Sequence, residues 1–372
     1  MNFLTHARSI LDRPVAVALS RLVSACLGLV SALFPARGLG PAGRGEASAA
    51  LALTGLLPLV LGLGVPLVVR RLAVESGDPA KSIRAARAIA VLLTPIAISV
   101  ALGSRSVFLG DLGPASGTTF LISASLSSLS ILWICNANVL IAQGRNGAFA
   151  VTNLLPILIY VALIAVGGMV GGLSVGYAIG ANLVGSVATL AFTSWLIPVG
   201  LRGPADSPQR VLREGIRFAG SQMAEAASYR LDQAIALPVV GAAQAGYYAV
   251  AATLSLVPFA LGQALASTTF KRIAMARGDV RNHHVANVVR AAFAVSTMTA
   301  LLMGVVSPAL IPLVFGTEFA ESVAPAWVSL VGSVGVVVGY VAASAHTALG
   351  RGWIMTAARC RDSPPELVCF LL

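Results

Sequence analysis

Glu225, Arg230 and Asp232 stand inside a run of residues, near 214–239, that is otherwise apolar enough to cross a membrane as a helix. Each charge placed there costs about 2.5–3.5 kcal/mol on insertion scales, so the segment must offer these groups water or a protein partner. At 100° per residue, Ser221, Glu225, Ser228, Tyr229 and Asp232 share one helix face, with Gln222 and Gln233 at its edge. Arg230 lies about 140° from Glu225 on the same wheel and reaches sideways, toward a neighbouring helix or an acidic partner. Such a stripe suits proton exchange on the carboxylates and electrostatic capture of an anion by the guanidinium.

Sliding the chain on itself by 201 positions places Arg21, Ser24, Gly28 and Ser31 opposite Gln222, Glu225, Tyr229 and Asp232. A basic residue from one half and carboxylates from the other then line one path, fitted to an anionic phosphate head. The competing reading has the charges pair with one another and fix helix packing. A further run, near 118–142, carries Asn136, Asn138 and Gln143 after Ser125, Ser127, Ser128 and Ser130. These groups suit sugar hydroxyls or, more simply, hydrogen bonds between helices. His346 reads as a structural residue, and His283 with His284 as part of a basic loop. Gly38, Gly40 and Gly43 spell G-x-G-x-x-G, but no βαβ unit surrounds them; they read as a tight outer turn between two spans. No G-x-x-x-x-G-K-[ST] loop occurs. Cys26 and Cys135 lie in apolar runs and Cys360 and Cys369 in the tail, so no disulfide framework is expected. The chain is read as a non-enzyme without cofactor or metal.

Composition says which elements must position these groups. Apolar residues make up 57% of the 372 positions and charged residues 10%, far from the roughly 25% charged of a soluble domain. Apolar runs predict an all-α, polytopic transmembrane protein of about ten spans, near 14–35, 47–69, 86–103, 118–142, 149–170, 172–199, 214–239, 245–270, 286–314 and 322–349. The net charge of +11 would suggest nucleic acid in a soluble protein. Here twenty of the 25 Lys and Arg fall in alternate loops, while the opposite loops hold only Arg37, Arg44 and Arg105. That asymmetry predicts a multi-pass protein of the cytoplasmic (inner) membrane with its amino terminus in the cytoplasm, and no nucleic-acid partner.

The same 201-residue offset brings Gly40 onto Gly241, Gly45 onto Gly246 and Arg70-Arg71 onto Lys271-Arg272. Two parallel repeats follow: a six-helix bundle over 1–200, a partial four-helix bundle over 201–351, and a non-spanning tail over 352–372. After Arg145 the first copy runs on for 55 residues, whereas 21 follow Arg351. The second copy therefore reads as incomplete, and the chain as truncated or frame-shifted at its carboxy end.

The turn Gly40-Pro41-Ala42-Gly43-Arg44-Gly45, with the alanine- and leucine-rich helix after it, resembles the start of polysaccharide flippases of the multidrug/oligosaccharidyl-lipid/polysaccharide exporter superfamily. Arg213 to Phe218, Arg230-Leu231-Asp232, Gly246-Tyr247-Tyr248-Ala249, and Leu310 to Gly316 with Phe319 resemble later family segments in the same order. The chain differs in having Ala42-Gly43-Arg44 where relatives often carry an acidic residue and an aromatic. The resemblance implies two helical bundles, alternating access, and a polyprenyl-diphosphate-linked saccharide as cargo for cell-surface polysaccharide or lipopolysaccharide biosynthesis. Its expected partners are that lipid-linked saccharide, membrane lipid and polysaccharide-assembly proteins. The expected translocation path comprises Arg21, Ser24, Gln222, Glu225, Arg230, Asp232, Asn136 and Asn138. Competing functions are a cation-coupled small-molecule exporter of the same superfamily, with Glu225 and Asp232 as coupling carboxylates, and an inactive membrane remnant.

Overall fold

A computed structural model describes residues 14–110, 112–275 and 278–348. Among the described residues the chain is helical throughout, with no strand. The helices are α1 (Pro14–Leu61), α2 (Val65–Ser76), α3 (Pro79–Phe108), α4 (Pro114–Ser125), α5 (Ser127–Ala142), α6 (Asn146–Met169), α7 (Val175–Leu196), α8 (Pro208–Val240), α9 (Ala242–Met275), α10 (Gly278–Phe315) and α11 (Val323–Ala348). A 3-10 segment, Thr317–Ser322, joins the last two. Local chemistry sets the starts. Asp78 accepts a hydrogen bond from the Ala80 amide at 2.9 Å with Pro79 behind it, and Ser174 accepts from the Tyr177 amide at 3.1 Å.

Seven of these helical segments are long and apolar enough to cross a membrane, or eight if α4 and α5, bent by 43°, count as one span. Large apolar side chains such as Val91, Leu92, Val305 and Val331 are exposed, as contact with lipid requires. The chain is thus a multi-pass, all-α membrane protein. The stretch expected as one span over 47–69 breaks instead, because Leu63 (φ 42°) and Gly64 (φ 75°) turn the chain between α1 and α2. The 118–142 span breaks at Leu126. The glycines near 167–172 separate two helices, as expected, with Gly171 at φ 71°.

The expected turn around Gly38–Gly43 is made at Gly40, where two helices meet across a kink within α1. Gly40 is the one non-helical residue there, at φ 66° and ψ −177°. Its repeat mate Gly241 has φ 82° and ψ 168°, the same glycine-dependent conformation. The mates Gly45 and Gly246 pack reciprocally. A Cβ on Gly45 would lie 2.0 Å from the Ala242 carbonyl oxygen, and one on Gly246 would lie 1.9 Å from that of Pro41. The 201-residue offset exchanges Pro41 with Ala242 as well. The sequence repeat is therefore a repeat of backbone structure.

Two compact units form: Leu33–Gly246, and Pro14–Ala32 with the chain from Tyr247 onward. In the first, α8 packs on α2 and α3, α5 on α2, α3 and α7, and α7 on α4 and α6. A core of small and branched residues, including Ala49, Val68, Ile89, Phe120 and Ile179, lies between them. In the second, α10 packs along α11. Ala266, Ala292, Val337 and Val341 form a core there, and the Trp327 indole donates to the Gly304 carbonyl at 3.0 Å.

Candidate functional site

Because Gly40 lets a second helix start at once, Arg44 sits one turn into that helix, inside the first unit. It is 8% exposed, and its Nε has no hydrogen-bond partner. Tyr160 of α6, also 8% exposed, lies within electrostatic range of both Arg44 and Arg230. Arg230 in turn interacts with Asp232 and leans over α1 at Gly55, where a Cβ would stand 3.9 Å from its guanidinium carbon. About two turns closer to Gly45, the Ser48 hydroxyl donates to the Gln233 side-chain oxygen at 3.3 Å. The Tyr160 phenol of α6 thus stands within electrostatic range of two guanidinium groups, Arg44 from α1 and Arg230 from α8. Arg44 is enclosed there, while Arg230 and Asp232 keep access to solvent. Such a patch attracts an anion, and a guanidinium with an unused donor is suited to phosphate oxygens.

The expected path residues are distributed as follows. Arg230 and Asp232 belong to this patch, with Gln233 beside them. The side chains of Arg21, Gln222 and Glu225 lie outside the described residues. Ser24, half-buried, belongs to the second unit. Asn136 is 4% exposed and donates to the Thr193 hydroxyl at 3.3 Å. Asn138 donates to the Ile134 carbonyl of its own helix at 2.9 Å. Arg44 and Tyr160 were not singled out from sequence. The available signal was that Arg44-Gly45-Glu46 brings two charges to the start of an alanine-rich helical run. Among the described residues no cluster of His, Cys, Asp and Glu is arranged to hold a metal ion.

The arginine-rich loops of the first unit share one face. Arg145 donates to the Leu196 carbonyl at 3.1 Å, Arg87 to that of Val199 at 2.8 Å, and Arg84 to those of Gly200 and Pro204 at 3.0 and 2.8 Å. The Asp206 amide donates to the Lys81 carbonyl at 3.2 Å. Arg71 of α2 and Arg210 of α8 both pair with Glu214, and the Arg210 hydrogen bond chiefly holds that carboxyl below its usual range. Loops grouped from charge alone are thus neighbours in space.

Comparison with known proteins supplies the remaining observation. An inward-facing multidrug resistance MATE family transporter of the MOP superfamily superposes with a TM-score of 0.70 at 17% identity, covering 93% of this chain and 87% of the other. The lipid II flippase MurJ, in an inward closed conformation, gives 0.73 at 12% identity, with 93% and 78% covered. The MATE multidrug transporter DinF-BH gives 0.63 at 14% identity, with 94% and 84% covered. These likenesses establish the fold. No curated protein sequence matches the chain. The model of the polysaccharide biosynthesis protein family matches residues 14–275, most of the chain, and on that match the chain belongs to the polysaccharide biosynthesis protein family.

Proposed function

We propose that the chain is a flippase moving a lipid-linked saccharide across the cytoplasmic membrane by alternating access, for cell-surface polysaccharide biosynthesis. The observation that carries this reading is the buried Arg44, with its unused Nε, within electrostatic range of Tyr160. An arginine inside a membrane bundle is costly unless it serves an anionic partner, and a diphosphate supplies one. Family membership and the fold shared with a lipid II flippase agree with it. In this reading the diphosphate head passes Arg44, Arg230 and Asp232. The lipid tail stays in the bilayer. The amino terminus lies in the cytoplasm, and no bond is made or broken.

Proteoliposomes loaded with a fluorescent polyprenyl-diphosphate sugar test it. Arg44→Gln and Arg230→Gln are expected to reduce flipping at least tenfold while the protein stays folded, one lost charge-assisted contact being worth about 1.5–3 kcal/mol. Unchanged flux in both variants would overturn the reading. A cation-coupled exporter of small molecules is the second reading, favoured by Asp232 beside Arg230 and by the MATE-like fold. Under that reading Asp232→Asn abolishes ion-driven export of a cationic dye, and the polyprenyl substrate is not moved.

A further inference from the structure

We propose that the groove at the start of α8 binds the phosphodiester headgroup of an anionic bilayer phospholipid. A cavity of about 660 Å³ opens there, lined by Ser207, Gln209, Arg210, Arg213, Glu214 and Arg217. On a helical wheel Arg210, Arg213, Glu214 and Arg217 fall within an arc of about 100°. The one carboxylate among them is committed to Arg71 and Arg210. Arg213 and Arg217 are exposed and have no hydrogen bond or ion pair among the described residues. Two guanidinium forks are therefore left for an outside anion, and their planar geometry suits phosphate oxygens.

The position selects a lipid over a soluble anion. The groove lies on the face where the arginine-rich loops meet, and α8 leads away from it for 33 residues. At 1.5 Å per residue that is about 50 Å, longer than a hydrocarbon core of roughly 30 Å. Exposed Ile216 and the part-exposed Phe218 border the arginine arc on its two sides, 56% and 37% exposed. A phospholipid whose phosphate sits between Arg213 and Arg217 lays its acyl chains against these side chains; inorganic phosphate gains no such contact.

The test uses the full chain in neutral detergent micelles, titrated with dioctanoyl-phosphatidylglycerol, dioctanoyl-phosphatidylcholine and inorganic phosphate in a calorimeter. Phosphatidylglycerol is expected to bind tightest and to weaken as salt rises. In Arg213→Gln/Arg217→Gln its affinity is expected to fall about 25-fold, roughly fivefold per arginine at a membrane surface. Arg202→Gln, outside the groove, leaves it unchanged. Both arginines are exposed and unpaired, so thermal unfolding of the double variant should match the parent and exclude misfolding. Equal binding of both lipids by the parent, undiminished phosphatidylglycerol binding by the double variant, or phosphate binding as tight as lipid each overturns the proposal.

Discussion

Substituting Gly45 with alanine sets two effects of opposite sign against each other. Gly45 has ordinary helical geometry inside α1, so alanine should stabilise it by up to about 1 kcal/mol through helix propensity. Against that, the new methyl would lie 2.0 Å from the Ala242 carbonyl oxygen and 2.8 Å from the Gly246 nitrogen. A relaxed carbon–oxygen contact is about 3.3 Å, so the two backbones must part by about 1.3 Å. Both colliding atoms are backbone, and no side-chain rotation relieves them. Ala47, Ala49, Ala50 and Ala245, nearly or wholly buried around the crossing, lose packing as it opens. A gap of 0.5–1 Å already forfeits a quarter to a half of each contact. Overpacking of this kind costs about 3 kcal/mol, the upper end of its usual range, leaving a net loss of about 2 kcal/mol. Thermal unfolding can be followed by a thiol-reactive dye on Cys135, which is buried within the first unit, after Cys26, Cys360 and Cys369 are replaced by serine. Gly103→Ala is the control, since a Cβ there meets nothing within 4 Å. The expected result is a fall of several degrees for Gly45→Ala and no fall for Gly103→Ala. If Gly45→Ala unfolds at or above the parent temperature, the reciprocal glycine contact is wrong.

Three further outcomes follow from the same geometry. Glu214 is held below its ordinary carboxyl value of 4.5 chiefly by the Arg210 hydrogen bond and further by the Arg71 charge. Its stabilisation is therefore present at neutral pH and lost as pH falls through the lowered value. Melting curves should show Glu214→Gln less stable than the parent at pH 7, the difference vanishing once acid protonates the Glu214 carboxyl; a difference that persists after that would contradict the assignment. Asn136→Leu removes the bond to Thr193 and should cost about 0.6 and at most about 1.7 kcal/mol in chemical unfolding. Its flux per folded molecule should stay at the parent level, and a tenfold loss would instead place the amide in the cargo path. Gly246→Ala, the repeat mate, should destabilise as much as Gly45→Ala, and the double variant less than additively, because the first methyl already separates the backbones.

Much of the fold was legible because a bilayer leaves few choices. Long apolar runs become helices, and the charge asymmetry grouped Arg71, Arg84, Arg145 and Arg210 on one side, where the structure finds their loops bonded together. The 201-residue offset was legible because glycine is the residue that adopts the backbone of Gly40 and Gly241 without strain. Breaks inside spans were harder. Leu63 and Leu126 interrupt helices at apolar residues, where hydropathy carries no signal.

The site was legible only in part, for a reason rooted in the same glycine. Gly38, Gly40 and Gly43 around Pro41 carry the chemistry of a loop, and a loop would have placed Arg44 in water, where a guanidinium needs no explanation. The structure makes its turn at Gly40 and starts the next helix at once, so Arg44 lies one turn into that helix, buried and within electrostatic range of Tyr160. One residue's backbone freedom thus converts a surface charge into an enclosed one. Changing Gly40 to a β-branched residue should undo that, because φ 66° is strained for any side chain and most for valine or isoleucine. Gly40→Val is expected to admit a water-soluble, arginine-selective dicarbonyl reagent to Arg44, which in the parent is 8% exposed and protected. Mass spectrometry of the modified peptide reads the outcome. Equal protection of Arg44 in both proteins would mean that enclosure does not depend on the bend, and the link between the glycine and the anion patch would fail.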